Sequence, residues 1–107
     1  MDDYTFKIMN DENIETLNWS SWLNFDKDTI TTIPKSEGVY KMHANMKILF
    51  IGSSYNLKQS LLESLSNSCL NKSTRFSYAI TQSSNKIKEF LLTEYRRKHK
   101  GGMPLCM

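Results

Sequence analysis

Apolar and polar positions along the chain divide it into a short series of segments. Val39 and Tyr40 open an apolar run after Gly38, and Ile48, Leu49, Phe50 and Ile51 form a second run closed by Gly52. The residues between them, 41–47, include His43, Ala44 and Asn45, which suit a turn and direct His43 to solvent. Two short apolar runs this close in sequence predict an antiparallel hairpin. Ser53, Ser54 and Asn56 then offer cap chemistry ahead of Leu57, Leu61, Leu62 and Leu65, which predicts a helix over 56–66. A loop rich in Ser and Asn follows. Residues 75–80 alternate Phe76, Tyr78 and Ile80 with Arg75, Ser77 and Ala79, the pattern of a half-buried strand. A second helix is predicted over 85–98, with Ser83 or Ser84 as its cap and Ile87, Phe90, Leu91 and Tyr95 on its apolar face. Gly101 and Gly102 end it, and Pro104 lies beyond.

The first 32 residues read differently. Tyr4, Phe6 and Ile8 alternate in an acidic context, compatible with either a short strand or a loose arm. Ile14, Leu17, Trp22 and Phe25 fit an apolar stripe flanked by Trp19 and Leu23, which predicts a short helix over 13–24. Two tryptophans three residues apart could stack on a ligand; the favoured reading is that they anchor this segment onto the sheet, because indole supplies a large share of a small core. Residues 26–32 read as a polar linker. Ile33-Pro34 favours an extended approach to the first strand. The fold class expected is therefore α/β (α+β): a small three-stranded antiparallel sheet flanked by helices, with an N-terminal helix. Residues 1–32 form the arm and helix, and 33–107 the core of one globular unit.

Composition changes this picture little. A chain of 107 residues with 39% hydrophobic content can bury one modest core. A net charge of +3 permits contact with a polyanion without announcing it. Cys69 and Cys106 form no CxxC pair, so neither a zinc site nor a redox motif is supported, and two reduced thiols are expected. No run approaches the ~18 apolar residues of a membrane span, and no signal core opens the chain. A cytoplasmic (intracellular) location without membrane contact is expected. No serine, histidine and acid arrangement and no glycine-rich phosphate loop stands out.

The tripeptides GVY (38–40) and FIG (50–52), followed by a loop and the pair Asn56-Leu57, resemble the GIY-YIG nuclease family. The resemblance continues through the third strand and second helix and covers roughly residues 33–104. It implies the same three-stranded sandwich and a hydrolase that cleaves nucleic-acid phosphodiesters with Mg²⁺ or Mn²⁺. Such chemistry needs a group to position the attacking water, a carboxylate for the cation, and positive charge beside the phosphate. The resemblance assigns these tasks to two motif tyrosines, an arginine on the first helix and a glutamate on the second. Carried over residue by residue, the first tyrosine is Tyr40. The second falls on Phe50, which lacks the hydroxyl. The arginine falls on Ser60, and a histidine often found one turn later falls on Ser64. Lys58 is two positions from the arginine position, and a lysine lacks the planar fork that clamps a phosphate. Arg75 is the other source of charge. Glu89 is the first choice for catalytic carboxylate and metal ligand, with Glu94 second, although either could be an exposed helix carboxylate paired with a nearby base.

The second helix ends in Arg96, Arg97, Lys98, His99 and Lys100. This run could complement the negative end of the helix or contact phosphates. Two function classes follow. One is a GIY-YIG-like endonuclease, weak or inactive because Phe50 and Ser60 remove two working groups. The other is a non-catalytic module that keeps the fold to bind nucleic acid, DNA being the first expectation, or a protein partner near Trp19 and Trp22. In either case Lys58, Arg75, Arg96, Arg97 and Lys98 are the candidate nucleic-acid contacts.

Overall fold

The computed structural model describes Lys7–Ile8 and residues 15–107, with side chains from Leu17 onward. Its centre is the strand β4 (Gly38–Ala44), paired antiparallel on one side with β5 (Lys47–Ser54) and on the other with β6 (Arg75–Ile80). The hairpin is tighter than the apolar runs indicate. The strands extend to Ala44 and from Lys47, so only Asn45 and Met46 turn the chain, both with positive φ (52° and 66°). Two such residues match the right-handed twist of the flanking strands. His43 therefore lies in β4 and not in a solvent-facing turn. It is half-buried and stacks on Trp22 with ring centroids 4.2 Å apart.

Both faces of β4 are covered, and alternation along the strand sorts its side chains between two layers. Val39 joins Ile51 and Ala79 under the helix α3 (Ser84–Lys98), which contributes Ile87, Leu91 and Leu92. Tyr40 and Met42 join Phe76 under α2 (Leu57–Ser64), which contributes Leu57 and Leu61. Asn56 caps α2 by accepting a hydrogen bond from Gln59 N–H at 3.1 Å. Gly38 explains how closely α2 approaches: a Cβ there would stand 2.3 Å from the Ala79 carbonyl oxygen and 2.7 Å from Leu57 Cδ1. In β6, Phe76 and Ala79 are buried on opposite faces, whereas Ile80 at the strand end is 55% exposed and not inward.

The segment expected as a helix over 13–24 holds two short strands and no helix in its described residues, 15–24; 13 and 14 lie outside them. Glu15–Thr16 (β2) pairs with Lys7–Ile8 (β1), and Leu23–Asn24 (β3) pairs with Phe76 and Arg75 of β6. Ser20 N–H donates to the Tyr78 carbonyl at 2.8 Å, and Tyr78 N–H donates to Ser20 Oγ at 3.1 Å. The free edge of β6 supplies unpaired backbone groups, and satisfying them outweighs a helix of mixed propensity. The main sheet thus has four strands, ordered β3-β6-β4-β5, rather than three. The alternation of Tyr4 and Phe6 lies outside the described residues. The linker over 26–32 forms one helical turn, α1 (Lys27–Ile30), capped by Asp26, and its Ile30 is fully buried beside Ile33.

The cysteines are not free. Cys69, just before a 3₁₀ turn (Leu70–Lys72), forms a disulfide with Cys106, 37 residues later. Sequence distance concealed this because the chain beyond α3 returns across the sheet. Cys106 N–H donates to the Leu49 carbonyl at 2.8 Å, and Pro104 is buried. The tail therefore covers the outer edge of β5, and the disulfide fastens it there. Closing a loop of this length should contribute up to about 4 kcal/mol through the unfolded state. Chemical denaturation of Cys69→Ser should show a loss of roughly 2–4 kcal/mol, matched by the wild type in reductant; an unchanged midpoint would contradict the disulfide.

Candidate functional site

The two motif tripeptides meet in register, with Tyr40 directly opposite Gly52. The Tyr40 ring lies across that glycine: a Cβ at 52 would stand 2.9 Å from Tyr40 Cζ, 3.0 Å from its hydroxyl and 2.4 Å from Phe50 Cε2. Phe50 packs beside Tyr40 with centroids 5.7 Å apart. The glycine of the second tripeptide is thus required by the tyrosine of the first. Phe50 keeps the packing of an aromatic ring but brings no polar group.

Above this pair stands α2. Ser60, where the resemblance puts an arginine, faces Ser54 at the end of β5, their hydroxyl oxygens 2.6 Å apart. Ser54 Oγ also accepts from Asn56 N–H at 2.9 Å, and Ser64 Oγ donates to the Ser60 carbonyl at 2.9 Å. Short hydroxyl side chains thus form a closed network where a guanidinium would otherwise project. Burial pushes the Tyr40 phenol up to about 12; the Glu63 carboxylate adds to this, and a hydrogen bond with Ser64 opposes it. Tyr40 is consequently protonated at neutral pH, a hydrogen-bond donor and a poor base. Glu63 itself is exposed and held by Gln59 Nε2 at 2.8 Å. The sequence reading passed over Glu63, yet its place one turn beyond Ser60 on the helix over Tyr40 was a usable signal.

The remaining candidates lie elsewhere. Arg75 is exposed on β6 and pairs in register with His43, not Tyr40. Its alternation puts it on the α3 face of the sheet with Ser77 and Ala79, whereas Tyr40 is on the α2 face. Glu89 is on α3, its side chain 72% exposed, with Lys88 Nζ 3.9 Å from its carboxylate. Glu94 pairs with Arg97. Arg96, Arg97 and Lys98 are exposed at the end of α3, and Lys58 is half-buried on α2. The structure therefore brings Tyr40 and Phe50 together under α2, and leaves Glu89, Arg75 and the basic run to the other layer.

The carboxylates assigned to a cation, Glu89 and Glu94, do not stand beside the tyrosine. Among the described residues no three His, Cys, Asp or Glu side chains gather as a metal-holding group. Glu89 and Glu94 each face a base on their own helix, and that helix packs on the sheet face opposite Tyr40.

The α3 face holds a second set of polar side chains. Lys41, between Tyr40 and Met42 in β4, extends its ammonium over the Trp19 ring, 4.3 Å from the centroid. Burial and then the repulsion of Lys98 hold its ionisation below the usual lysine range. Among the described residues no helix is long and apolar enough to cross a membrane.

A family model described as "Domain of unknown function (DUF7508)" matches residues 17–98. No curated protein matches the chain. Two crystal structures of the GIY-YIG N-terminal endonuclease domain of UvrC from Thermotoga maritima share the fold. Both are tyrosine-to-phenylalanine point mutants bound to the catalytic divalent cation. Each aligns with TM-score 0.56 over 76% of this chain and 92% of that chain, at 15% and 14% identity. Identity at this level carries the likeness of fold alone.

The Tyr40 environment has a measurable consequence. An absorbance titration should find one tyrosine ionising near pH 12, absent from Tyr40→Phe. The folded state holds this proton more tightly than the unfolded chain. Its contribution is therefore fully present below about pH 10 and falls by roughly 2–3 kcal/mol as pH rises through 12. A normal titration of every tyrosine would contradict the buried site.

Proposed function

The chain belongs to the DUF7508 family, and we propose that it is a nucleic-acid-binding protein on a GIY-YIG-like nuclease fold, with phosphodiester cleavage weak or absent. The observation that carries this reading is the division of the candidate site between the two faces of the sheet. Tyr40 is buried under α2 beside a phenylalanine and a serine network, while Glu89 is exposed on α3 next to Lys88. A displaced charge-stabilising donor alone costs about 2–4 kcal/mol of barrier, a hundredfold or more in rate. Here the arginine position is Ser60, and the carboxylate stands apart from the tyrosine.

Binding draws support from the other layer. Arg96, Arg97, Lys98 and Lys100 project into solvent at the end of α3, where cations also favour the negative helix terminus. Exposed cations on one terminus can neutralise phosphates and release counterions, which supplies affinity without reading sequence. Arg75 and Lys41 lie on the same sheet face and extend that positive surface.

The test has two arms. Purified protein with Mg²⁺ or Mn²⁺ should leave supercoiled plasmid uncut, and Tyr40→Phe and Glu89→Ala should behave likewise. Binding should weaken steeply with salt, and Arg96→Ala with Arg97→Ala should flatten the logarithmic salt slope by about 2. Efficient cleavage that survives purification and disappears in Tyr40→Phe would overturn the reading. Flat salt dependence, or no binding at low salt, would replace nucleic acid with a protein partner.

A further inference from the structure

Beside the basic end of α3 the structure holds a groove of about 380 Å³, lined by Trp19, Ser20, Ser21, Trp22, Lys41 and Ser77. Its volume falls in the roughly 300–1,000 Å³ range of small-ligand sites. Three features bear on its occupant. First, it is bounded by two indoles that are each only partly buried, one stacked on His43 and the other under the Lys41 ammonium. The indole face that a stacked partner leaves uncovered is a surface on which another flat π-system can continue. Second, the charge here is positive. Lys98 adds to the field at Lys41, Arg75 flanks His43 in the next strand, and among the described residues no carboxylate pairs with Lys41. Third, the buried polar atoms without a hydrogen-bond partner among the described residues are Trp19 Nε1, His43 Nδ1 and Ser73 Oγ. Trp19 lines this groove, and His43 stands behind it, stacked on Trp22. Both unpaired atoms are closed off from solvent, so an occupant of the groove meets ring faces and not these two edges.

We propose that this groove takes an unpaired nucleobase of a single-stranded nucleic acid, the base stacking against Trp19 and Trp22 while Lys41, Lys98 and Arg75 receive the adjoining phosphates. The assignment rests on the nucleic-acid reading above and adds to it a site and a strand preference. A purely apolar partner such as a hydrophobic peptide does not suit the groove, because Lys41 would be desolvated further with no anion to offset it. A duplex keeps its bases stacked on one another and offers no free face for the groove. Base–aromatic stacking combined with a cationic track is a recurring way to hold single strands with little sequence preference.

The experiment uses the full chain and three fluorescein-labelled probes at low salt: an oligothymidylate, an abasic strand of equal length, and a duplex of equal length. The expected order has oligothymidylate binding about tenfold or more tighter than the abasic strand, with quenching of tryptophan fluorescence only by the strand that carries bases. Trp22→Leu should reduce oligothymidylate binding to the abasic level. Lys41→Ser should weaken both, and it tests the site without removing an indole. Equal binding of oligothymidylate and abasic strand, without quenching, would overturn the groove assignment and leave the phosphate-contact reading standing. Absence of binding to all three probes would overturn both.

Discussion

The register of Tyr40 against Gly52 is the constraint on which the rest of the molecule depends. An aromatic ring laid across the neighbouring strand requires a residue without a Cβ beneath it, and Gly52 supplies that. The same register fixes which face of β4 each residue occupies, since a slip of one position would exchange the two layers. It therefore decides that Tyr40 and Met42 meet α2, and that Val39, Lys41 and His43 meet α3 and the tryptophan segment. Gly38 imposes the same kind of limit one turn of the pleat earlier, where Leu57 and the Ala79 carbonyl leave no space for a side chain. Both motif glycines are thus explained by packing, without appeal to chemistry.

That distinction separates fold from function here. The tripeptides carry the geometry of the hairpin, and Phe50 packs beside Tyr40 through its ring alone, which needs no hydroxyl. Catalysis would need polar groups to converge on one point. The polar groups over Tyr40 are instead three serines, two of them bonded to each other, and a carboxylate held by Gln59. Lys41, Arg75 and the basic run at the end of α3 lie on the opposite layer, while Lys58 is on α2. Lys41 and the two tryptophans thus share one layer with the basic end of α3, and Tyr40 is buried in the other.

Much of this architecture was legible in the sequence, and the gaps have identifiable causes. The hairpin, α2, β6 and α3 follow from apolar periodicity and caps, because each element buries a face whose spacing matches its own period. Residues 13–24 misled because Leu17, Trp19, Trp22 and Leu23 satisfy a helical stripe as well as an extended strand. The deciding factor was the unpaired edge of β6, a property of the assembled sheet and not of the segment. The disulfide was hidden for a similar reason: only the return of the tail across β5 brings Cys106 to Cys69. At the candidate site, Tyr40, Phe50 and Ser60 were named from the resemblance, and the structure groups them at the hairpin and α2. The role of Lys41 was not legible, since a lysine beside a motif tyrosine looks solvated until the tryptophan segment folds over it.

In the function proposed above, the α3 face, and not the tyrosine face, meets nucleic acid. The most direct measurement is amide and indole chemical-shift mapping of the labelled protein titrated with a short single-stranded oligonucleotide, first without and then with Mg²⁺. Shifts are expected to concentrate at Trp19, Trp22, Lys41, Ser77 and residues 96–100, unchanged by the cation. Shifts centred on Tyr40, Phe50 and Ser60 that require Mg²⁺ would contradict it and restore a cleavage site beneath α2.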